Sequence, residues 1–170
     1  MLLIHARKRL RLCYVFTENT VWNPIEVLAT AEGAETMRLV SLKDPEQLNS
    51  VVEYRVWGSN RNLFGNCSIG EQVIFLTKGD LMISGMISGD PFLSNEVIWE
   101  KDLYQWRLPM NNLIRAKGNP VLLAEKEIRK MLRTIYGKSY GNIFHLFIQL
   151  SSEASSSIER VLTELKWVTL

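Results

Sequence analysis

The residues best suited to bind a ligand lie in one short stretch around Trp57. This large aromatic ring is followed by a run of small polar and basic residues, GSNRN, at positions 58–62. An aromatic side chain can stack on a nucleobase, which contributes about 1–3 kcal/mol per base. An amide such as that of Asn60 carries both a donor and an acceptor for the edge of a base. The stretch therefore predicts a loop that holds a flat, polar ligand.

A second group of aromatic residues follows at Trp99, Tyr104 and Trp106. Two or three rings around one slot can form a cage for a base that is flipped out of its stack, and a methyl group on that base adds apolar contact. Aromatic residues also fill ordinary protein cores, and for most single rings here the two interpretations carry equal weight. The ligand interpretation is stronger for Trp57 because its neighbours are so polar.

Basic residues accompany both aromatic groups. Arg55 and Arg61 flank Trp57, and Lys101 and Arg107 flank the second group. Four more recur at helical spacing on one face of a predicted helix, namely Lys126, Arg129, Lys130 and Arg133. This face could follow a phosphate backbone, although an ordinary solvated helix face has the same spacing. The net charge of +2 does not by itself indicate a nucleic-acid partner.

Several motifs of catalytic sites are missing from the sequence. It has no Gly-rich phosphate loop of the Walker type, no dinucleotide fingerprint and no G-x-S-x-G elbow. The two Cys and two His residues have no metal-ligand spacing, which argues against a metal site and a disulfide framework. We therefore expect a binding module without catalytic residues, metal or cofactor rather than an enzyme.

The composition favours one soluble domain. A chain of 170 residues with 46% hydrophobic residues is large enough for a single core, so we expect residues 1–170 to form one domain, either alone or as the N-terminal module of a longer protein. No apolar run approaches the roughly 20 residues that span a bilayer. An apolar start precedes the basic cluster at residues 7–11, the reverse of the order in a signal peptide. We expect a cytoplasmic protein that does not enter a membrane.

The order of the predicted elements indicates an α+β fold. Branched and aromatic residues predict strands at Leu10–Thr17, Glu71–Thr77, Leu81–Ser88, Glu96–Trp99 and Tyr104–Met110. The segment 37–42 is predicted to be a short strand or a loop, and Gly85 predicts a bulge or the close approach of another backbone. Capping residues and apolar spacing predict helices after Asn23-Pro24, after Asp44-Pro45, at Leu123–Tyr136 and at Ser155–Leu165. We expect a curved or barrel-like sheet flanked by these helices.

Three short motifs resemble the EVE and YTH branch of the PUA-like superfamily. They are VWGSNRN (56–62), GEQVIF (70–75) and SGMI (84–87), which are similar to that branch's V-W-[GC] loop, its G-[DE]-x-[VL]-[IL]-F strand and its x-G-x-x return strand. The segment IWEKDLY (98–104) is similar to the YTH segment in which two cage aromatics lie five residues apart. Tyr104 stands where that pattern often has Trp. The resemblance covers residues 10–165, with a longer linker than usual between residues 28 and 45.

The resemblance implies a PUA-like barrel flanked by helices, with a pocket for a modified base. YTH domains read N6-methyladenine in RNA, and EVE-like and YTH-like domains are also N-terminal recognition modules of McrB-type modification-dependent restriction systems. Carried over by position, Trp57, Trp99 and Tyr104 form the cage. The same comparison implies hydrogen bonds to the base edge from Thr17, Asn19 and Asn60, and Ser59 in the polar run is a further candidate. The basic residues named above are the expected phosphate contacts.

The favoured expectation is a reader of a flipped modified base, with methylated adenine ahead of modified cytosine. Modified DNA is its favoured target and RNA the alternative, and an AAA+ GTPase and a nuclease subunit are its expected associates. Two other functions stay open: a standalone RNA-binding protein without modification specificity, and an enzyme or domain that binds a free nucleotide or metabolite in the same pocket. If Trp57 lies in the core with no pocket beside it, the functional interpretation fails and the α+β prediction survives.

Overall fold

The computed structural model describes residues 36–42, 45–77, 79–99 and 104–170. The strand predicted at Leu10–Thr17 and the helix predicted after Asn23-Pro24 lie outside these residues. The predicted site residues Thr17, Asn19 and Lys101 lie outside them too.

The described strands form one strongly curled, half-barrel sheet. In chain order they are β1 (Met37–Leu42), β2 (Val56–Ser59), β3 (Gln72–Thr77), β4 (Leu81–Ile87), β5 (Phe92–Leu93), β6 (Trp106–Lys117) and β7 (Val168–Thr169). Their order in space is β1-β3-β4-β6-β2, and β5 and β7 are further partners of β6. β1 runs parallel to β3, and the other named pairs are antiparallel.

The 12-residue strand β6 changes partners along its length. Its first part lies between β2 and β5, and its second part lies between β4 and β7. The register with β4 shifts between Ser84 and Met86, which confirms the irregularity predicted at Gly85. A Cβ at Gly85 would lie 2.5 Å from Cδ2 of Leu113, so the glycine makes room for a core side chain.

The strand predicted at Glu96–Trp99 is wrong, because these residues are irregular in structure. The N–H of Ser94 donates a hydrogen bond to the main-chain oxygen of Gln105, at 2.9 Å, just beyond the β5–β6 pair. The chain then leaves the sheet, and Trp99 packs back against β2. The strand predicted at Tyr104–Met110 begins two residues later than expected and continues to Lys117.

Four α-helices are described, and the predicted ones among them are confirmed with shifted ends. They are α1 (Pro45–Tyr54), α2 (Asn119–Tyr136), α3 (Tyr140–Leu146) and α4 (Ser152–Thr163), with a short 3₁₀ turn at Gly137–Ser139 between α2 and α3. α2 has Pro120 in its first turn and is capped after Tyr136 by Gly137, whose φ of 58° suits a residue without a Cβ. In α4 the Oγ of Ser151 accepts a hydrogen bond from the N–H of Ala154. None of the helices within the described ranges combines the length and apolarity needed to cross a membrane.

Both faces of the sheet are covered, which explains the uninterrupted apolar run in β3. Ile74 and Leu76 face one core, together with the apolar sides of α2 and α4. Val73 and Phe75 face the other core, which α1 and the aromatic side chains of residues 57, 64 and 147 complete. Strand side chains alternate between faces, and a strand that is buried on both sides loses its polar positions. The α+β class and the curved sheet flanked by helices are thus confirmed.

Candidate functional site

Strand β2 directs Trp57 into the second core. The residue is 7% exposed, and its ring lies 5.1 Å from that of Phe64, 6.1 Å from that of Phe75 and 4.6 Å from that of Phe147. Its partner in β6, Leu108, is buried on the same face. Trp57 is therefore a core residue, and its polar neighbours do not form a loop around it.

The opposite face of β2 carries the other two rings of the predicted cage. A Cβ at Gly58 would lie 2.4 Å from Cη2 of Trp99 and 2.7 Å from Cβ of Tyr104. The two rings meet edge to face, with centroids 5.0 Å apart and planes at 90°. Since successive strand residues point to opposite faces, the structure brings Trp99 and Tyr104 together and separates Trp57 from both. The three-ring cage is not formed in this arrangement, and the functional interpretation that depended on Trp57 as a cage wall fails.

Arg107 lies on the same face of the sheet, beside the ring of Trp99. It stands directly opposite Gly58 in the β2–β6 pair and is only 3% exposed. Its Cζ lies 5.5 Å from the ring centroid of Trp99, a cation–π distance. The predicted phosphate contact does not fit this burial, because an exposed phosphate cannot reach the guanidinium in the described conformation. We call Gly58, Trp99, Tyr104 and Arg107 the Trp99 cluster.

Two polar residues that the sequence did not mark hold the Trp99 cluster in place. Nη2 of Arg107 donates to the main-chain oxygen of Glu96, and Nη1 lies 3.5 Å from Oε2 of the same residue. Nε2 of Gln47, on α1, donates to the hydroxyl of Tyr104. A glycine inside a strand is a sequence signal for close packing and could have identified Gly58. Gln47 has no such signal, because its contact depends on how α1 packs beside β2.

The polar loop after β2 is shorter than the sequence suggested. Ser59 still belongs to β2, is buried, and accepts a hydrogen bond at Oγ from the N–H of Arg61, at 3.1 Å. Ser59 is thus engaged in turning the chain rather than directed at a ligand. Asn60 and Arg61 are exposed, and within the described ranges their side chains show no hydrogen bond or ion pair. Both side chains are therefore available to contact a ligand.

The basic face of α2 divides into residues with internal partners and residues in solvent. Arg129 pairs with Glu125, at 2.7 Å between Nη2 and Oε1, and its Cζ lies 4.9 Å from the ring centroid of Phe144. Arg133 lies over the ring of Tyr140 at 5.0 Å. Lys126 and Lys130 are exposed, so these lysines are the part of the face best placed for phosphate contact.

Arg55 also has a structural partner. It adopts a left-handed conformation, with φ 54°, where α1 turns into β2. Its Nη2 donates to the main-chain oxygen of Leu170 at 3.0 Å. The side chain remains exposed, so Arg55 keeps a solvent-facing charge near the junction of these elements.

Metal-ligating and nucleophilic side chains determine the chemistry that a protein can support. Across these ranges, no three His, Cys, Asp or Glu side chains are grouped so that they could hold a metal ion. Burial raises the pKa of the Cys67 thiol from 9.0 to about 11, although the positive charge of Arg38 opposes this shift. Because the thiolate is the reactive form, Cys67 is a weak nucleophile at neutral pH.

Comparisons with known proteins add no family assignment to this geometry. Neither the scan against protein-family models nor the search of curated proteins found a match to the chain. The case for a function therefore rests on the residues of the Trp99 cluster and of the exposed loop beside it.

Proposed function

We propose that this chain is a non-catalytic nucleic-acid-binding module of PUA-like type, which accepts a flipped base at the Trp99 cluster. The observation that carries the proposal is the pair of rings, Trp99 and Tyr104, set at right angles against the bare backbone of Gly58. One ring of such a pair can stack on the face of a base while the other meets its edge. Trp57 supports β2 from the core side and does not touch the base.

Exposed polar and basic residues outside the cluster would supply the remaining contacts. Asn60 is exposed directly after β2 and offers both a donor and an acceptor to the edge of a base. Arg61, Lys126 and Lys130 are exposed cations that suit phosphate groups. Trp99 is 6% exposed, so the binding step includes a movement that uncovers its ring.

The ligand and the biological setting follow from the sequence resemblance. Methylated adenine, the base that the resemblance favours, and modified cytosine are the two candidate ligands. The module would direct a modification-dependent restriction system, with an AAA+ GTPase and a nuclease subunit as partners, to modified DNA in the cytoplasm. In this role the chain binds and the partners carry out the chemistry.

A binding experiment with two tryptophan variants tests the proposal. Fluorescence anisotropy would compare oligonucleotides that carry N6-methyladenine, 5-methylcytosine or no modification, as DNA and as RNA. We expect Trp99→Ala to lose about 1–3 kcal/mol of binding free energy, the contribution of one stacked base. Trp57→Phe, checked for folding by circular dichroism, is the matched control and should keep the preference for the modified base. Equal affinities for all oligonucleotides with wild type and Trp99→Ala would refute the proposal.

A standalone RNA-binding protein without modification specificity is the second candidate. The core position of Trp57 favours this candidate, because the two remaining rings enclose a methyl group less completely than three rings would. A preference for RNA over DNA that ignores methylation would select this function. Tight binding of a mononucleoside, without affinity for oligonucleotides, would instead indicate a small-molecule site.

A further inference from the structure

Arg107 is a buried cation whose hydrogen-bonding capacity is only partly used. Its η nitrogens face Glu96, through the main-chain oxygen and, at 3.5 Å, through a carboxylate oxygen. Its Nε is buried and has no hydrogen-bond partner within the described residues. Buried polar groups are nearly always paired in folded proteins, so this N–H is an exception that calls for an explanation.

The position of Arg107 places that donor beside the proposed base site. Gly58 and Arg107 are directly opposite in an antiparallel pair, and side chains at such positions share a face and lie about 5 Å apart at Cβ. The rings that touch Gly58 are those of the proposed site. In the described conformation the rings themselves fill the space against Gly58. A base that enters between these rings and Gly58 would lie within reach of Arg107.

The electrostatics of the pair leave a positive charge at the site. Arg107 is 3% exposed, whereas the side chain of Glu96, which is its carboxylate partner, is 75% exposed. The guanidinium is thus removed from water while its counter-charge is largely solvated. Such an environment favours a ligand atom that accepts hydrogen bonds and carries negative partial charge.

We propose that Arg107 determines the base specificity of this site, by donating a hydrogen bond from Nε to a carbonyl oxygen of the flipped base. The inference rests on the proposed function. A guanidinium can only donate, so it pairs well with an edge of acceptors, such as O2 and N3 of cytosine, and poorly with the exocyclic amine of adenine. Arg107 thereby favours modified cytosine over methylated adenine, against the order given by the sequence resemblance.

Two variants separate base reading from phosphate contact. The probes are single-stranded DNA oligonucleotides that differ only at one central position, which carries 5-methylcytosine, N6-methyladenine or an abasic site. Affinities are measured by anisotropy at several salt concentrations for wild type, Arg107→Lys and Arg61→Ala. Arg107→Lys keeps the charge and removes the Nε donor, whereas Arg61→Ala removes an exposed charge outside the Trp99 cluster.

Wild type should bind the 5-methylcytosine oligonucleotide most tightly. Arg107→Lys should reduce its advantage over the abasic oligonucleotide by on the order of tenfold, as expected for one hydrogen bond from a charged donor. The salt dependence should stay unchanged. Arg61→Ala should keep the base preference and lower the slope of log K against log salt by about 1.

Other outcomes contradict either base reading by Arg107 alone or the proposed function as well. A full base preference in folded Arg107→Lys, or a reduced salt slope in that variant, refutes base reading by Arg107 and leaves the proposed function standing. If wild type binds none of the oligonucleotides, both proposals fail. If Arg107→Lys does not fold, an NMR measurement on ¹⁵N-labelled wild type tests the inference instead, by following the resonance of the Arg107 Nε–H. This resonance should shift with the 5-methylcytosine oligonucleotide and not with the abasic one, and an unchanged resonance refutes the inference.

Discussion

At position 58 the missing side chain allows two aromatic residues to lie against a strand. A Cβ there would approach Trp99 to 2.4 Å and Cβ of Tyr104 to 2.7 Å. The indole can rotate away, but the Cβ of Tyr104 is fixed to its own backbone. Rotation of side chains alone therefore cannot relieve the second clash.

Gly58→Ala should lower the free energy of unfolding by about 1–3 kcal/mol, the range for overpacking at a buried position. Gly65→Ala is the matched control, because nothing lies within 4 Å of a Cβ at that exposed glycine. The control should change stability by less than about 0.5 kcal/mol. Urea unfolding followed by circular dichroism gives both values. Equal stabilities of the two variants would contradict the packing of Trp99 and Tyr104 on β2.

At the scale of elements, α2 shows how a charged face can serve two purposes. Arg129 is held by Glu125, by Oγ of Ser41 at 3.3 Å and by the ring of Phe144, so it connects α2 to β1 and α3. Lys130, its neighbour, is exposed. The four basic residues look equivalent in the sequence, but their roles differ because α3 packs beside some of them and not others.

Arg129→Ala should lower the free energy of unfolding by about 1 kcal/mol, because it removes a cation–π contact and a partly buried ion pair. Lys130→Ala should change it by less than about 0.5 kcal/mol. In oligonucleotide binding the order reverses: removing Lys126 and Lys130 together should lower the salt slope by about 2, and Arg129→Ala should leave it unchanged. Thermal and urea unfolding, with anisotropy over a salt series, measure these quantities. A lower salt slope in Arg129→Ala, with no change on removal of the two lysines, would contradict this division of roles.

The elements also show what the sequence could and could not reveal. The helix at Pro45–Tyr54 and the strands at Gln72–Thr77 and Leu81–Ile87 were predictable because caps, turns and apolar spacing are local signals. The side on which Trp57 lies was not predictable, because it depends on the register of β2 with β6, a distant part of the chain. The same long-range pairing decides the positions of Gly58 and Arg107, so the composition of the site was partly predicted and its geometry was not.

At the scale of the whole molecule, one buried arginine connects β1, the loop after β2 and the end of α3. Nε of Arg38 lies 2.5 Å from Oε2 of Glu71, and Nη1 donates to the main-chain oxygen of Phe147 at 2.5 Å. Nη2 donates to the main-chain oxygen of Asn66. These contacts could not be predicted from the sequence, because the partners are far apart in the chain.

Arg38→Leu should lower the free energy of unfolding by about 3–5 kcal/mol, since Glu71 is left buried without its counter-charge. The double variant Arg38→Leu/Glu71→Leu should recover part of this loss. It should remain about 1–3 kcal/mol below wild type, because the carbonyls of Asn66 and Phe147 stay unpaired. Arg61→Ala is the control for the loss of a positive charge, because Arg61 lies on the same loop as Asn66 and is exposed. Urea unfolding of all four proteins tests this, and a double variant no better than the single one would contradict it.

The change of partners along β6 has a further consequence for how the chain folds. β2 and the β3–β4 hairpin come before β6 in the sequence, yet each is paired with it in the final sheet. During synthesis, at roughly 5–20 residues per second, Leu108 and Leu113 leave the ribosome after Trp57 and the hairpin. The apolar side chains of these earlier elements have no packing partners in β6 until then. Pairings between distant segments close slowly, on the order of milliseconds to seconds. The nascent chain therefore exposes these apolar side chains at least until β6 has been synthesised, and a chaperone that binds apolar segments would act in this interval.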